Sequence, residues 1–298
     1  MTVEDIILLH SKRGMNILRE HCAPDFCHEA ARCIYDAPRG NVLLTTGFYV
    51  GGFGETDGPP GTMFLAKALY LLGFNPIIVT DDYCQGFFMT EHIQTVYVNN
   101  DMDEADYAAM LDQYAPTLLI SIERCGRNIQ GDYANMRGVS IADHNARVDW
   151  LFELGARRGI PSVGVGDGGN EIGMGNLKEV ISNELSLVPC EVEVSHLVIA
   201  TVSNWGAYGL CACLEELSGQ PLLPRYSTDM DYLQYIVDLG AVDGVTKDHV
   251  PTVDSYPTEI KHEILDKLYA LIHATIPVEG LHTENAKKLR ENPLLFVV

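Results

Sequence analysis

The feature that most limits how this chain can fold is a repeated alternation of short, continuously apolar runs with helical stretches. The runs fall at residues 41–47 (NVLLTTG), 76–80 (PIIVT), 94–98 (QTVYV), 117–122 (TLLISI), 161–165 (PSVGV) and 196–200 (HLVIA). Helical patterns lie at about 62–72, 103–114, 145–155, 204–217, 229–239 and 257–275. Strands that are apolar throughout, rather than at every second residue, are buried on both faces. The pattern therefore predicts an α/β fold: a doubly wound, mostly parallel sheet of about six strands with helices on both faces. An eight-unit barrel would need more βα repeats than the sequence supplies. No Pro/Gly/Ser linker or composition step divides the chain. One domain over 1–298 is expected, with a helical C-terminal extension from about 225 to 298.

This architecture says where to look for function. In open parallel sheets, ligands bind beyond the carboxyl ends of the strands. Composition narrows the ligand. A formal net charge of -21 repels phosphate backbones and anionic membrane surfaces, so neither nucleic acid nor membrane is an expected partner. No apolar run approaches the ~18 residues of a membrane span. The opening stretch MTVEDIILLHSKRG has acids ahead of bases and no cleavable signal pattern, which points to a cytoplasmic protein. The eight cysteines include no CxxC pair, so they read as buried thiols of a reducing compartment rather than zinc ligands. A homo-oligomer is compatible with the sequence.

The strand ends carry the chemistry. After the first run comes GFYVGGFGETDGPPGT, residues 47–62, rich in glycine and followed by a helix. Its amides around Thr56 and Gly58 form a candidate anion site, with Asp57 close by. Neither a Walker loop nor GxGxxG is present. Asp81 and Asp82 follow the second run. After the fourth run comes SIERCGRNIQGDYANMRG, residues 121–138, with Glu123 and three arginines in an acidic chain. Arg124 and Arg127 are candidates to grip a carboxylate in bidentate fashion. After the fifth run comes VGVGDGGNEIGMGN, residues 163–176. There Asp167, Asn170 and Glu171 are oxygen donors suited to Mg²⁺ or Mn²⁺, and either acid could instead be a general base. Gly168 and Gly169 leave clearance for a ligand. After the sixth run, Asn204 and Trp205 open a helix at the same sheet edge, Asn204 as a cap and Trp205 as a pocket wall or core residue. His92 and His144 are the histidines nearest these loops.

Three of these stretches together, GETDGPPGT (54–62), SIERCGR…GDYANMRG (121–138) and GVGDGGNEIGMGN (164–176), resemble the D-glutamate cyclase C-terminal domain family, here in a stand-alone form. The resemblance covers about residues 10–290. It implies a carbon–oxygen lyase that converts D-glutamate to 5-oxo-D-proline and water. It brings no assigned catalytic residue, so roles follow from the chemistry. The amine must lose a proton before it attacks the γ-carboxyl carbon. That carboxyl must be protonated or bound to a Lewis acid, and the oxyanion must be stabilised. Arg124 or Arg127 would then hold one carboxylate. The amides of the 51–61 loop would hold another, or the oxyanion. Asp167 or Glu171 would act as base or hold a divalent ion, and Asp57 and Glu123 would complete the acidic set. A base among them should have a raised pKa, whereas a metal ligand should have a lowered one. A metal-dependent hydrolase or lyase on another acidic metabolite, and a non-catalytic small-molecule sensor, remain as alternatives.

Overall fold

The computed structural model describes residues 1–90 and 92–275. In chain order the elements are α1 (Val3–Ile7), α2 (Met15–Arg19), α3 (Phe26–Asp36), β1 (Asn41–Thr45), β2 (Tyr49–Val50), β3 (Phe53–Gly54), α4 (Pro59–Leu71), β4 (Asn75–Asp81), β5 (Gln94–Val98), α5 (Glu104–Tyr114), β6 (Leu118–Ile122), α6 (Asp149–Arg157), β7 (Ser162–Gly166), α7 (Lys178–Glu184), β8 (His196–Ile199), α8 (Ser203–Ser218), α9 (Tyr226–Asp238) and α10 (Thr258–Thr275). Six strands form one sheet in the order β5-β4-β1-β6-β7-β8, and every neighbouring pair is parallel. β2 and β3 form a separate antiparallel hairpin.

All six apolar runs are sheet strands, close to the expected bounds. β6 and β7 are buried along their whole length, as central strands covered on both faces must be. β5, at the edge, buries only Val98. α4 and α8 pack together on one face, with α3 beside α8. α5 and α6 pack together on the other, as right-handed crossovers in opposite directions require. The direction of winding reverses between β1 and β6, which pair from Val42↔Leu118 to Thr45↔Ser121. A doubly wound sheet opens its ligand crevice at this reversal.

Three helices before β1 have no counterpart in the sequence expectation. α3 packs on α8 and β8, closing the apolar flank of the sheet. The helix expected over 145–155 begins later, at Asp149, because Ala146 is held outside it, its amide donating to Asp81 and its carbonyl accepting from Arg124. The region from 225 is helical, but it is more than an appendage. α10 packs on α8 and α1, and the segment between α9 and α10 runs back over the carboxyl ends of the strands. The part of the expected extension beyond residue 275 lies outside the described residues.

Candidate active site

The crevice between the ends of β1 and β6 holds a cavity of about 390 Å³. Its acidic wall is formed by Glu55, Glu123 and Asp254, with Arg13 among them. Each reaches the wall from a different element. Glu123 directly follows β6 and has φ +47°. A non-glycine residue in this left-handed region carries a backbone cost, tolerated where the surroundings fix it. Here the Glu123 amide donates to Val165 O (3.1 Å), and the Ser203 hydroxyl donates to Glu123 Oε2 (2.5 Å). Gly58 makes room for Glu123: a β-carbon on it would lie 2.9 Å from that of Glu123, and its φ is +94°. Glu55 continues β3, where residues 54–56 pair with Val242.

The segment 242–255 is organised from within by Asp243. Its carboxylate accepts from the amides of Val245, Thr246 and Ser255 and from the Thr252 hydroxyl. This turn presents Asp254, itself at φ +52°, to the cavity. Arg13 then bridges two loops: Nη1 donates to Asp167 Oδ1 at 2.6 Å, and Nη2 pairs with Asp254 Oδ2.

Behind this wall lie Asp57 and Asp167, both buried. Asp57 accepts from the amides of Ser203 (2.9 Å) and Asn204 (2.8 Å), so it caps α8 from a distant loop. One oxygen each from Asp57, Asp167 and Asp254 lie within 4.8 Å of one another. Asp167 Oδ2 has no donor among the protein groups around it, and a proton on one of these carboxyls would supply one.

The electrostatic result is a cluster that retains protons. Burial, then Asp254, pushes Asp57 up to about 7. Burial, then the carboxylates of Glu171 and Asp57, raises Glu123 well above the carboxylate range. Glu55 is raised by burial and by Asp254. Asp167 is raised by burial, against the pull of Arg13. Burial alone would weaken Arg13 as a cation, but Asp167, Asp254 and Glu123 hold its proton more firmly. Raised carboxyls beside a cavity mark a place where acids hold their protons more firmly than in water.

Several expectations change here. Arg124 does not reach the cavity. It is fully buried and donates to Asp81 (2.8 Å) and to the carbonyls of Gly47 (3.0 Å) and Ala146 (2.7 Å), clamping three strand-end loops. Arg127 is committed to Glu153 and Glu191, both at 2.5 Å, away from the cavity. The cations that line the cavity are instead Arg13, Arg137 and Lys247, and the last two have no ion pair among the described residues.

The amides of the 56–61 loop are not bare either. Those of Gly58 and Gly61 donate to Asn204 Oδ1, and Asn204 donates back to Thr56 O. Asn204 therefore stitches this loop to α8. Trp205 is core, packed on Tyr256 at 5.2 Å. The glycines after β7 clear space for the protein's own carboxylate. Glu171 accepts from the amides of Asp167 (3.3 Å), Gly168 (2.6 Å) and Gly169 (2.7 Å), and a β-carbon on Gly168 would lie 2.8 Å from Glu171 Oε1. Asn170 does line the cavity and donates to Ala134 O. His144 lines it as well, stacked on Tyr49 at 4.2 Å, whereas His92 stacks on Tyr70 elsewhere.

Arg13, Asp243 and Asp254 carry no local sign of their roles in the sequence, and Glu55 stands there only as part of the stretch GETDGPPGT. Two trios of acids could hold a divalent ion, Asp57–Asp167–Asp254 and Glu123–Asp167–Glu171. Both offer the oxygens that Mg²⁺ or Mn²⁺ takes. In the first, Arg13 competes for Asp167 and Asp254. In the second, both Glu171 oxygens already receive amides.

Comparison with known proteins gives this geometry a family. Residues 3–269 match the family described as D-glutamate cyclase-like, C-terminal. The human protein "D-glutamate cyclase, mitochondrial" is 36% identical over 203 residues, covering 58% of this chain and 32% of that protein. The chain thus matches about a third of the length of that relative. Among solved structures, an exopolyphosphatase-related protein from Bacteroides fragilis aligns over 86% of this chain and 62% of its own, with 9% identity and a TM-score of 0.40. UDP-glucose 4-epimerase from Brucella ovis in complex with NAD aligns over 50% of this chain and 49% of its own, with 14% identity and a TM-score of 0.29. Neither likeness is strong enough to inform function. Among the described residues no helix is long and apolar enough to cross a membrane.

Proposed function

This chain belongs to the D-glutamate cyclase-like, C-terminal family, and from that premise we propose that it closes D-glutamate to 5-oxo-D-proline with loss of water. One observation carries the reading: several buried carboxyls, crowded so that they hold their protons more firmly than free carboxylates do, gather around a cavity at the switch point of the sheet.

The reaction explains why such a cluster is useful. The substrate enters with an ammonium and a γ-carboxylate. To form the ring, two protons must pass from the nitrogen to the departing oxygen. A single carboxylate of ordinary pKa is a weak base toward ammonium and a weak acid toward the leaving oxygen. A coupled set of crowded acids holds ionised and protonated members together, so it can accept and donate in one site. Glu123 lines the cavity and is assigned the proton for the leaving oxygen. Glu55, also at the cavity, takes a proton from the amine. Asp57 and Asp167 lie behind and redistribute charge, and Arg13 keeps the set from excessive repulsion. Arg137 or Lys247, at the cavity edge, holds the α-carboxylate. Correct folding of the substrate chain supplies a further part of the rate.

A divalent ion, Mg²⁺ or Mn²⁺, is part of the proposal to be tested. Asp57, Asp167 and Asp254 would hold it, with Arg13 displaced from at least one oxygen. When bound it would act as a Lewis acid on the γ-carboxyl. The deciding experiment incubates the purified chain with D-glutamate, with and without each ion, and follows 5-oxoproline by chiral chromatography. Turnover that Glu123→Gln abolishes supports the proposal. Absence of product under all ion conditions overturns it.

A further inference from the structure

The cavity has a second wall that ring closure of free glutamate does not use. Phe48, Tyr49, Val50, Val139, Ile141 and His144 line it. Phe48 and Ile141 belong to a small apolar cluster of their own, against which Tyr49 and Val50 pack. Tyr49 and His144 are stacked with an interplanar angle of 16°, and Tyr83 Oη lies 3.0 Å from His144 Nδ1, which fixes the pair. Val139 is 58% exposed at the rim. Apolar side chains left open beside a reaction centre usually face an apolar part of a ligand.

Size and charge point the same way. A cavity of about 390 Å³ lies in the ~300–1,000 Å³ range of pockets that enclose drug-sized ligands, and glutamate alone fills only part of it. The opposite wall is acidic. A γ-carboxylate entering between Glu55, Glu123 and Asp254 adds one more negative charge to a set that already keeps protons to limit its own repulsion, and the one cation on that wall, Arg13, is already paired with two aspartates. A neutral γ-carbonyl enters without that repulsion.

We propose that the preferred substrate is a γ-D-glutamyl amide whose amine part is aromatic or branched apolar, seated on the Tyr49–His144–Val139 wall. This rests on the reading that the site closes a glutamyl amine onto its own γ-carbon. The α-nitrogen forms the new bond to the γ-carbon, and the γ-carbon–nitrogen bond of the amide breaks. The attacking ammonium gives up two protons to the acid cluster. The departing nitrogen receives two from it and leaves as an ammonium, so no oxidant or second reactant is needed. The product ring is the same, and an amine replaces water as the leaving group.

The test compares kcat/KM for D-glutamate, D-glutamine and γ-D-glutamyl-benzylamide. Because one methylene against an apolar wall is worth about 10–200-fold, the benzylamide should exceed D-glutamine by at least about tenfold. The exposed rim variant Val139→Asp should lower that ratio by a similar factor. Turnover of D-glutamate without turnover of the benzylamide overturns this inference and leaves the ring-closing reading standing. So does a benzylamide no better than D-glutamine, or a ratio that Val139→Asp does not move. No turnover of any of the three overturns both.

Discussion

Two arginines near the same sheet edge, one buried and one partly exposed, show what charge balance decides. Arg124 meets one carboxylate, Asp81, and two carbonyls, with no exposure of its own. Arg13 meets Asp167 and Asp254 directly and sits in a set that also includes Glu55, Asp57 and Glu123. The first is one cation with one anion, a closed arrangement that fastens loops. The second is one cation against five carboxyls, an arrangement that cannot be neutral unless it keeps protons. The same residue type therefore builds structure in one place and a proton store in the other.

The strongest way to break this contrast is Glu123→Gln. Loss of a positioned proton carrier should lower kcat by about 10²–10⁴-fold, while the melting temperature holds because the neutral amide keeps the shape of the protonated acid. A variant that unfolds without losing specific activity would mean Glu123 is structural. Arg124→Leu should do the reverse. Asp81 would be left buried without its cation, at a cost of about 3–5 kcal/mol of unfolding free energy, measurable by urea titration. Little change there would show that the clamp is not needed.

A third measurement reads the proton store directly. The cluster acids have folded pKa values above their unfolded ones, and Asp57 rises from 3.8 to about 7. Each such group stabilises the fold while protonated, and that stability is lost as pH rises from the unfolded value toward the folded one. Unfolding free energy should therefore fall between pH 4.5 and 6.5, by about 1.4 kcal/mol per pH unit for each proton that only the native state retains. The window lies above the range of Glu4, lowered to about 2 against its burial chiefly by the hydrogen bond with His28. It also lies below the range in which His28 loses its proton. Glu123→Gln should flatten the slope, and a rising slope in the parent chain would refute the store. The smallest effect belongs to Arg127→Ala. Its ion pairs are partly exposed, so about 0–1 kcal/mol of stability is at stake, and turnover should be unchanged.

What could be read from sequence follows the same division. The sheet strands were legible because a strand buried on both faces must be apolar at successive positions, and β1, β4, β6 and β7 are. Strand ends then located Asp57, Glu123 and Asp167. Their neighbours misled, since an arginine next to Glu123 reads as a ligand grip until its acceptors are known to be two carbonyls and Asp81. The glycines misled for the same reason: what approaches them is Glu171, two or three residues away, and not a guest. Arg13 was out of reach because its partner Asp167 lies 154 positions along the chain, and no local pattern encodes that meeting. Asp254 depends on a turn that Asp243 builds from amides of an irregular segment, which no periodicity reveals.

That pairing of Arg13 with Asp254 also sets a schedule. Asp254 is made after Arg13 by a stretch of chain that takes roughly 12–50 s at ordinary elongation rates. Until then Arg13 has only Asp167 of its two carboxylate partners. Chains halted before residue 254 should therefore leave the crevice open on the side that the segment 242–255 covers, which quality-control proteases can recognise.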